Sequence, residues 1–465
     1  MTNMTLMRSS EVLLLCAVLA CTSCDSGGGG SKGTPNHPPD APALVQPADG
    51  AEDLASPQDL EVQVSDPDGE QMTVVFYGRH LTADADYTLA FLPDIEETVR
   101  DPLWAKGIFT AQTTWLRDVA RGDTVNADAP NLAFVSTGGD MVYETINSYF
   151  QRGDSAISLI DGEVPYGLVR GNHDNSSLFN QYFPYTRYVG YPWYGGHYGS
   201  TNNNSYQFFS AGGTDYLMLH LEYLPSKAVV TWANAILQAN QDRKAIVVTH
   251  AFISTSGERR ISPDGADYLW KDLVKPNRNV FLVLCGHVHE EYTRIDTVEG
   301  RKVYQLLADY QDWTDGGSGY LRLLRFSPST GTIHVKTYSP WLDNYSTTSK
   351  SQFDLDMPFT EIGRVSAVTS GAQAGVSWGD LPADAQCEWY ACAIDARGKS
   401  TNSPVWRFST PGAGLPEAAA IANRPPPVDS PVAGRLGFRG GGRRSAPRGV
   451  VLGPRWRSAG LFVED

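Results

Sequence analysis

Five short apolar runs, each stopping at an Asp, Asn or His, constrain the fold of this chain more than any other feature. "YTLAFLPD" ends at Asp94, "NLAFVSTGGD" at Asp140, and "VPYGLVRGNHD" delivers Asn172, His173 and Asp174; "KAIVVTH" stops at His250 and "NVFLVLCGHVH" at His287 and His289. Apolar runs of this length that do not alternate are strands with both faces covered. Helical-period segments stand between them. "IFTAQTTWLRDVA" puts Ile108, Ala111, Trp115 and Val119 on one stripe, and "AVVTWANAILQ" does so with Val229, Trp232, Ala233, Ile236 and Leu237. Beyond the histidine pair, "VYQLLADY", "YLRLLRFSP" and "TIHVKTYSP" are expected to be antiparallel strands closing a sheet. The expectation is an α/β fold of two sheets with outer helices, whose strands deliver polar termini to the carboxyl edge, where ligands bind.

The donors at that edge suit two divalent cations. Carboxylates and imidazoles are hard-to-borderline ligands for Mn, Fe, Zn or Co, and no thiolate competes. One carboxylate must bridge, and Asp140, on a central strand, suits the role. Two ions roughly 3.5–4 Å apart lower the pKa of a shared water and clamp phosphate oxygens during in-line attack. Each signal is weak alone, since Gly-Asp is a common turn and a strand-terminal His such as His250 is more often structural. Their joint occurrence in this order carries the inference.

"GGD", "GNHD", "VVTH" and "GHVH" resemble the motifs of the calcineurin-like metallophosphoesterase superfamily. The resemblance covers about residues 86–360, through "IFTAQTTWL", "PWYGGHY", "NNSYQFF" and "GYLRLLRF", and is to its exported bacterial members. It implies an αββα sandwich in which Asp94, Asp140 and His289 hold a first ion and Asp140, Asn172, His250 and His287 a second. His173 would be the general acid or hydrogen-bond donor near the leaving oxygen, with Asp174 orienting its ring. The first motif departs from the family's Asp-x-His, or Asp-x-Gln in many exported members, and reads Asp94-Ile95-Glu96. Glu96 either adds an oxygen ligand, favouring a harder metal such as Mn or Mg, or points away and leaves the first site under-liganded.

Tyr143, three residues past Asp140, resembles the tyrosinate iron ligand of purple acid phosphatases, which also carry a fibronectin-like domain but read Asp-x-Gly in the first motif. Otherwise it is a core aromatic. "YVGYPWYGGHYGSTNNNSYQFF" is an aromatic, glycine-rich loop. In it Trp193, Tyr194 and His197 either contact the organic part of a substrate or pack on one another. "DYQDWTDGGSGY" (309–320) is a second candidate wall.

The flanks have another texture. Residues 37–82 and 363–411 show short alternating runs between Pro, Gly and Asp turns, and each half is too short for a sandwich of roughly seven strands. Together they resemble one fibronectin type III-like module, split by the metallophosphoesterase domain at 83–362; the alternative is two separate small β-units. Cys387 stands where the corner tyrosine of such modules is expected. Cys387 and Cys392, five apart in one strand, face opposite sides roughly 16 Å apart and cannot bridge. With Cys285 they are expected to be buried small apolar residues.

Residues 1–24 carry Arg8, the apolar stretch Val12–Ala20 and then small residues and cysteines. The stretch is too short to span a bilayer and resembles a bacterial lipoprotein signal, with Cys21 or else Cys24 as the lipidated residue and plain secretion as the alternative. Residues 25–36 are a Gly/Ser-rich tether. The tail 412–465 is Pro-, Gly- and Arg-rich without periodicity and expected to be disordered. A net charge of −15 argues against nucleic-acid binding by the folded part. The expected protein is a lipid-anchored hydrolase of phosphomonoesters or phosphodiesters in the bacterial cell envelope, with substrate and membrane as its partners. A surface binding protein with a vestigial metal site and a nuclease of the same superfamily are the competing readings.

Overall fold

The computed structural model describes residues 35–259 and 266–412. The signal segment 1–24, most of the tether 25–36 and all but the first residue of the tail 412–465 lie outside the described residues. Among the described residues the strands form four sheets.

Two of these make the central body. The first runs Asn344–Ser346, Thr332–Ser339, Leu321–Ser327, Tyr87–Leu92, Leu132–Thr137 and Tyr166–Gly167, with Phe353–Asp356 also on Thr332–Ser339. The second runs Glu291–Val298, Arg301–Ala308, Val280–Cys285, Lys244–Thr249, Thr214–Leu221, Ser205–Ala211 and Tyr194–His197. Their inner faces share one core: Leu89, Phe91, Phe134 and Leu324 from the first meet Met218, Ile246, Val248, Leu282 and Leu306 from the second. The outer face of the first sheet is covered by helices Ile108–Arg121 and Asn147–Ile157, through Ala90, Leu92, Phe109, Leu116 and Phe150. Helix Lys227–Ala239 covers the second through Val229, Ala233 and Leu237 against Leu217, Leu219 and Val247. With both faces buried, Val280–Cys285 is apolar along its whole length, and Tyr87–Leu92 is buried throughout, with the Thr88 hydroxyl satisfied by the Pro130 carbonyl at 2.9 Å.

Two expectations are corrected. The helix Ile108–Arg121 buries Ile108, Phe109, Gln112, Thr113, Leu116 and Val119, so its core stripe is rotated from the one expected. Ala111 and Trp115 lie on its half-buried flank, where Trp115 packs against Tyr338 at 5.2 Å between ring centres. The three late strands do not close one sheet. Arg301–Ala308 pairs parallel to Val280–Cys285, whereas Leu321–Ser327 and Thr332–Ser339 join the other sheet as antiparallel partners of Tyr87–Leu92 and of each other. An unexpected hairpin pairs Ser205–Ala211 with Thr214–Leu221.

Strands from both chain flanks build the remaining two sheets. Ala43–Gln46 and Gln58–Gln63 pair with Gln373–Trp378, while Met72–Leu81 lies between Thr360–Val368 and Gln386–Ile394, which also binds Ser400–Asn402 and Trp406–Ser409. Leu60, Val62, Val74, Phe76, Trp389 and Phe408 fill the space between these sheets. Cys387 faces that core and Cys392 the opposite cluster with Tyr77 and Tyr390; with Cys285 they are buried and unpaired. The flank sheets grip the central body by polar contacts at a turn: Tyr77 Oη donates to the Glu299 carbonyl at 2.7 Å, and Tyr390 Oη and Asn402 Nδ2 to that of Gly300 at 3.1 and 3.0 Å.

Candidate metal centre

Parallel pairing brings the polar strand ends together. Leu92 lies opposite Thr137, so the chain leaves both strands at one edge, carrying Asp94 beside Asp140. The two-residue strand Tyr166–Gly167 pairs with Val135 and Ser136 and feeds the loop bearing Asn172, His173 and Asp174. In the other sheet Val248 lies opposite Leu284, delivering His250 and His287, and Gly286 N donates to the His250 carbonyl at 2.9 Å. The backbone is left-handed at Asp140 (φ 43°) and His287 (φ 71°). Non-glycine residues pay roughly 1–3 kcal/mol each for such conformations, which persist where the surroundings over-determine them, commonly at functional sites.

Motif glycines leave room for these donors. A Cβ on Gly171 would sit 2.0 Å from Asp140 Oδ1, one on Gly286 2.0 Å from Asp94 Oδ1, and one on Gly139 2.5 Å from His250 Nδ1.

Asp140 stands at the centre. Its Oδ1 accepts from His173 N at 2.9 Å and its Oδ2 lies 3.0 Å from His250 Nε2. The His250 ring is fixed on both sides, by the Gly138 carbonyl at Nδ1 (2.9 Å) and by Asn172 Oδ1 at Nε2 (2.8 Å). Asp140, His250 and His287 form one group whose donor atoms all lie within 4.8 Å of one another; Glu96, Asp140 and His173 form a second, so Asp140 belongs to both. Asp94 Oδ2 accepts from His287 N at 2.9 Å, and Asp94 Oδ1 lies 3.9 Å from His250 Nδ1.

The electrostatics show an excess of buried negative charge. Burial and then the Asp309 and Asp140 charges push the Asp94 carboxyl well above the usual carboxylate range, and burial with Asp140 lifts Glu96 to about 9. Burial also raises Asp309. For Asp140 burial acts upward, but His250 and the hydrogen bonds outweigh it and hold the carboxyl low. His250 is raised correspondingly: burial alone would lower it, and Asp140 overcomes that. Three oxygens in this cluster, Asp94 Oδ1, Glu96 Oε2 and Asp309 Oδ2, are buried without a hydrogen-bond partner. A buried anionic oxygen is costly unless paired or coordinated, so this donor set fits bound cations.

Asp94, Asp140, Asn172, His173, His250 and His287 converge, and Glu96 takes the inward of its two expected orientations, 1% exposed. Three details differ from expectation. His289 lies at the rim rather than in either donor group: its Nδ1 meets Asp312 at 2.8 Å, while its Nε2 is 2.5 Å from Gln311 Nε2 and 4.0 Å from Asp309 Oδ2. Asp174 does not orient the His173 ring. Its oxygens accept the backbone amides of Gly171, Met141 and Val142, tying the two loops together, and the Tyr143 carbonyl holds His173 Nδ1 at 2.8 Å instead. Tyr143 is not a core aromatic: at 36% exposure its ring lies against His173 on one side (5.4 Å) and the Arg100 guanidinium on another (4.3 Å). Trp193, Tyr194 and His197 take the second of their two expected arrangements, a self-packed aromatic cluster. Trp193 stacks on Tyr191, Tyr194 Oη bonds His197 Nδ1 at 2.9 Å, and His197 stacks on Tyr185 at 3.9 Å; no described contact joins them to the acidic cluster.

Two residues were missed. Asp309, fully buried, follows the strand Arg301–Ala308 at the same edge, and its "LLAD" ending repeats the signal of "FLPD". Tyr223 packs its ring against His250 (5.7 Å) and His287 (5.3 Å), walling that side of the site. Nothing local in "LEYLP" marks it.

The family model described as calcineurin-like phosphoesterase matches residues 87–291, which hold every converging residue named above except Asp309. The uncharacterized protein YvnB of Bacillus subtilis (strain 168) is 32% identical over 343 residues, covering 65% of this chain and 26% of that protein, so the chain spans about a quarter of its relative's length. Among solved structures, a dimetal phosphatase from Danio rerio aligns with a TM-score of 0.39 at 11% identity, covering 58% of this chain and 98% of that one. A purple acid phosphatase from yellow lupin seeds aligns at 0.38 and 11%, covering 69% and 75%. What the chain shares with the calcineurin-like phosphoesterases is therefore a similarity over residues 87–291.

Proposed function

We propose that the protein is an exported dinuclear-metal phosphoesterase that hydrolyses phosphomonoesters or phosphodiesters. The observation carrying this reading is that Asp140 is shared by two donor groups while three neighbouring carboxylate oxygens are buried without a hydrogen-bond partner. Asp140 would bridge, with His250, His287 and Asn172 on one side and Asp94, Glu96 and the nearby His289 on the other. Bound there, two divalent ions supply Lewis acidity to phosphate oxygens and acidify a water for in-line attack.

The chain's own groups do the rest. The Gly138 carbonyl fixes the His250 tautomer, leaving Nε2 to face Asp140 and Asn172. His173 donates its Nδ1–H to the Tyr143 carbonyl, so a protonated ring offers Nε2–H to the leaving oxygen. Asp174 holds the backbone that carries both Asp140 and His173.

The flank sheets, read as one fibronectin type III-like module, act as a brace through the turn at Glu299–Gly300. Anchoring through Cys21 or Cys24 is supported by the signal-like composition of residues 1–24. Elemental analysis of purified protein alongside turnover of chromogenic phosphomonoesters and phosphodiesters tests the proposal. Two equivalents of metal with turnover support it; metal-free protein inactive with Mn, Zn or Fe refutes it.

A further inference from the structure

The two sides of Asp140 are chemically unequal. On one, the group with Asp140 holds two imidazoles, His250 and His287. On the other, Glu96 joins Asp140 and His173, and the Asp309 charge acts on Glu96; Asp94, which reaches to the His287 amide, and Asp309 each keep one buried oxygen without a hydrogen-bond partner. Asp309 has no other evident task for its second oxygen. Its Oδ1 accepts the Gln311 amide at 3.0 Å and so shapes its own turn, whereas Oδ2 is buried without a hydrogen-bond partner, 4.0 Å from His289 Nε2. A carboxylate with 0% exposure needs only one oxygen for that turn; the other faces a cluster that already holds Asp94. Burying three carboxylates together is favourable only if a cation neutralises them, or if protons do.

We propose that Asp309 is a ligand of the cation on the Glu96 side of Asp140, and that Asp309, Glu96 and Asp94 make this position select a hard, oxygen-seeking ion of the Mn2+ or Mg2+ class over Zn2+. The inference rests on the dinuclear reading above and specifies one of its two positions. Carboxylate-rich sets favour Mg, Ca and Mn, while imidazole-rich sets favour Zn and Fe, so the two positions discriminate between metals by ligand type. His289 stays at the rim, its Nδ1 on the Asp312 carboxylate and its Nε2 between Gln311 Nε2 at 2.5 Å and Asp309 Oδ2 at 4.0 Å.

The test is metal binding, read without turnover. Metal-stripped protein is titrated with Mn2+, followed by calorimetry and by the loss of the free Mn2+ electron paramagnetic resonance signal, and separately with Zn2+. Asp309→Asn keeps an acceptor for the Gln311 amide, so its fold is expected to survive; Glu96→Gln serves as the second variant and decides if Asp309→Asn does not fold. The expected result is two sites in the unaltered protein and a loss of Mn2+ affinity of about 10–100-fold at one of them in each variant, with Zn2+ binding at the other unchanged. Two sites with Mn2+ affinity unaltered in the variants would overturn the assignment of Asp309, showing that protons neutralise it, and leave the dinuclear reading standing. No binding to unaltered protein would overturn both.

Discussion

Gly171→Ala isolates the site from the fold. Gly171 does not need a positive φ, so alanine is compatible with its backbone. The new Cβ would nonetheless lie 2.0 Å from Asp140 Oδ1 and 2.3 Å from Asp140 N, where ordinary contact begins at 3.4 Å. The carboxylate must therefore retreat by about 1.4 Å, or its loop must move, and Asp140 is tied to His173 N and His250. Overpacking of this kind costs about 1–3 kcal/mol of stability. A misplacement of about 1 Å in a positioning group costs roughly 100-fold in rate, which is about 2.7 kcal/mol of transition-state stabilisation. Gly379→Ala, where nothing lies within 4 Å, is the control. Both variants are followed by chemical denaturation, metal titration and kcat/KM on a chromogenic phosphoester. Gly171→Ala is expected to stay folded, to bind metal more weakly and to lose 100-fold or more in kcat/KM. Wild-type metal affinity and turnover in Gly171→Ala would refute the claim that Asp140 must stand where it does.

Three further outcomes are expected. Glu291, buried between the sheets, accepts from Arg322, Tyr310, Thr337 and Ser351, so Glu291→Gln should cost about 3–5 kcal/mol in denaturation by leaving the Arg322 charge unpaired. Burial acts to raise the Glu291 pKa, but Arg322 and the hydroxyls outweigh it and hold it below the ordinary 4.5. Its contribution to stability is therefore complete above that value and lost as pH falls through the lower folded value; a Glu291→Gln protein whose stability falls as steeply in acid as the unaltered one contradicts this. His173→Ala should lower kcat about 100- to 10,000-fold while metal content stays unchanged, and equal loss of metal would instead make His173 a ligand. Cys21→Ser should abolish incorporation of labelled fatty acid in cells; persistence of the label would move the anchor to Cys24.

What could be read in the residues, and what could not, follows from range. Periodicity and apolar run length are local, so the strands ending near Asp94, Asp140, His250 and His287 were legible, as were the opposed faces of Cys387 and Cys392. Asp309 escaped because Arg301–Ala308 was expected to run antiparallel in a closing sheet, and only a parallel strand beside Val280–Cys285 delivers its end to the same edge. Asp174 was misjudged because adjacency to His173 says nothing of three amides folding back onto it from both loops. The Trp193 loop turned on contacts with Tyr166, Tyr188 and Tyr191, aromatic partners no spacing rule supplies.

Anomalous X-ray diffraction from crystals of the metal-loaded protein, recorded at the absorption edge of the bound metal, tests the central claim most directly. Two peaks about 3.5–4 Å apart on either side of the Asp140 carboxylate are the predicted result. A single peak, or peaks not shared by Asp140, would contradict it.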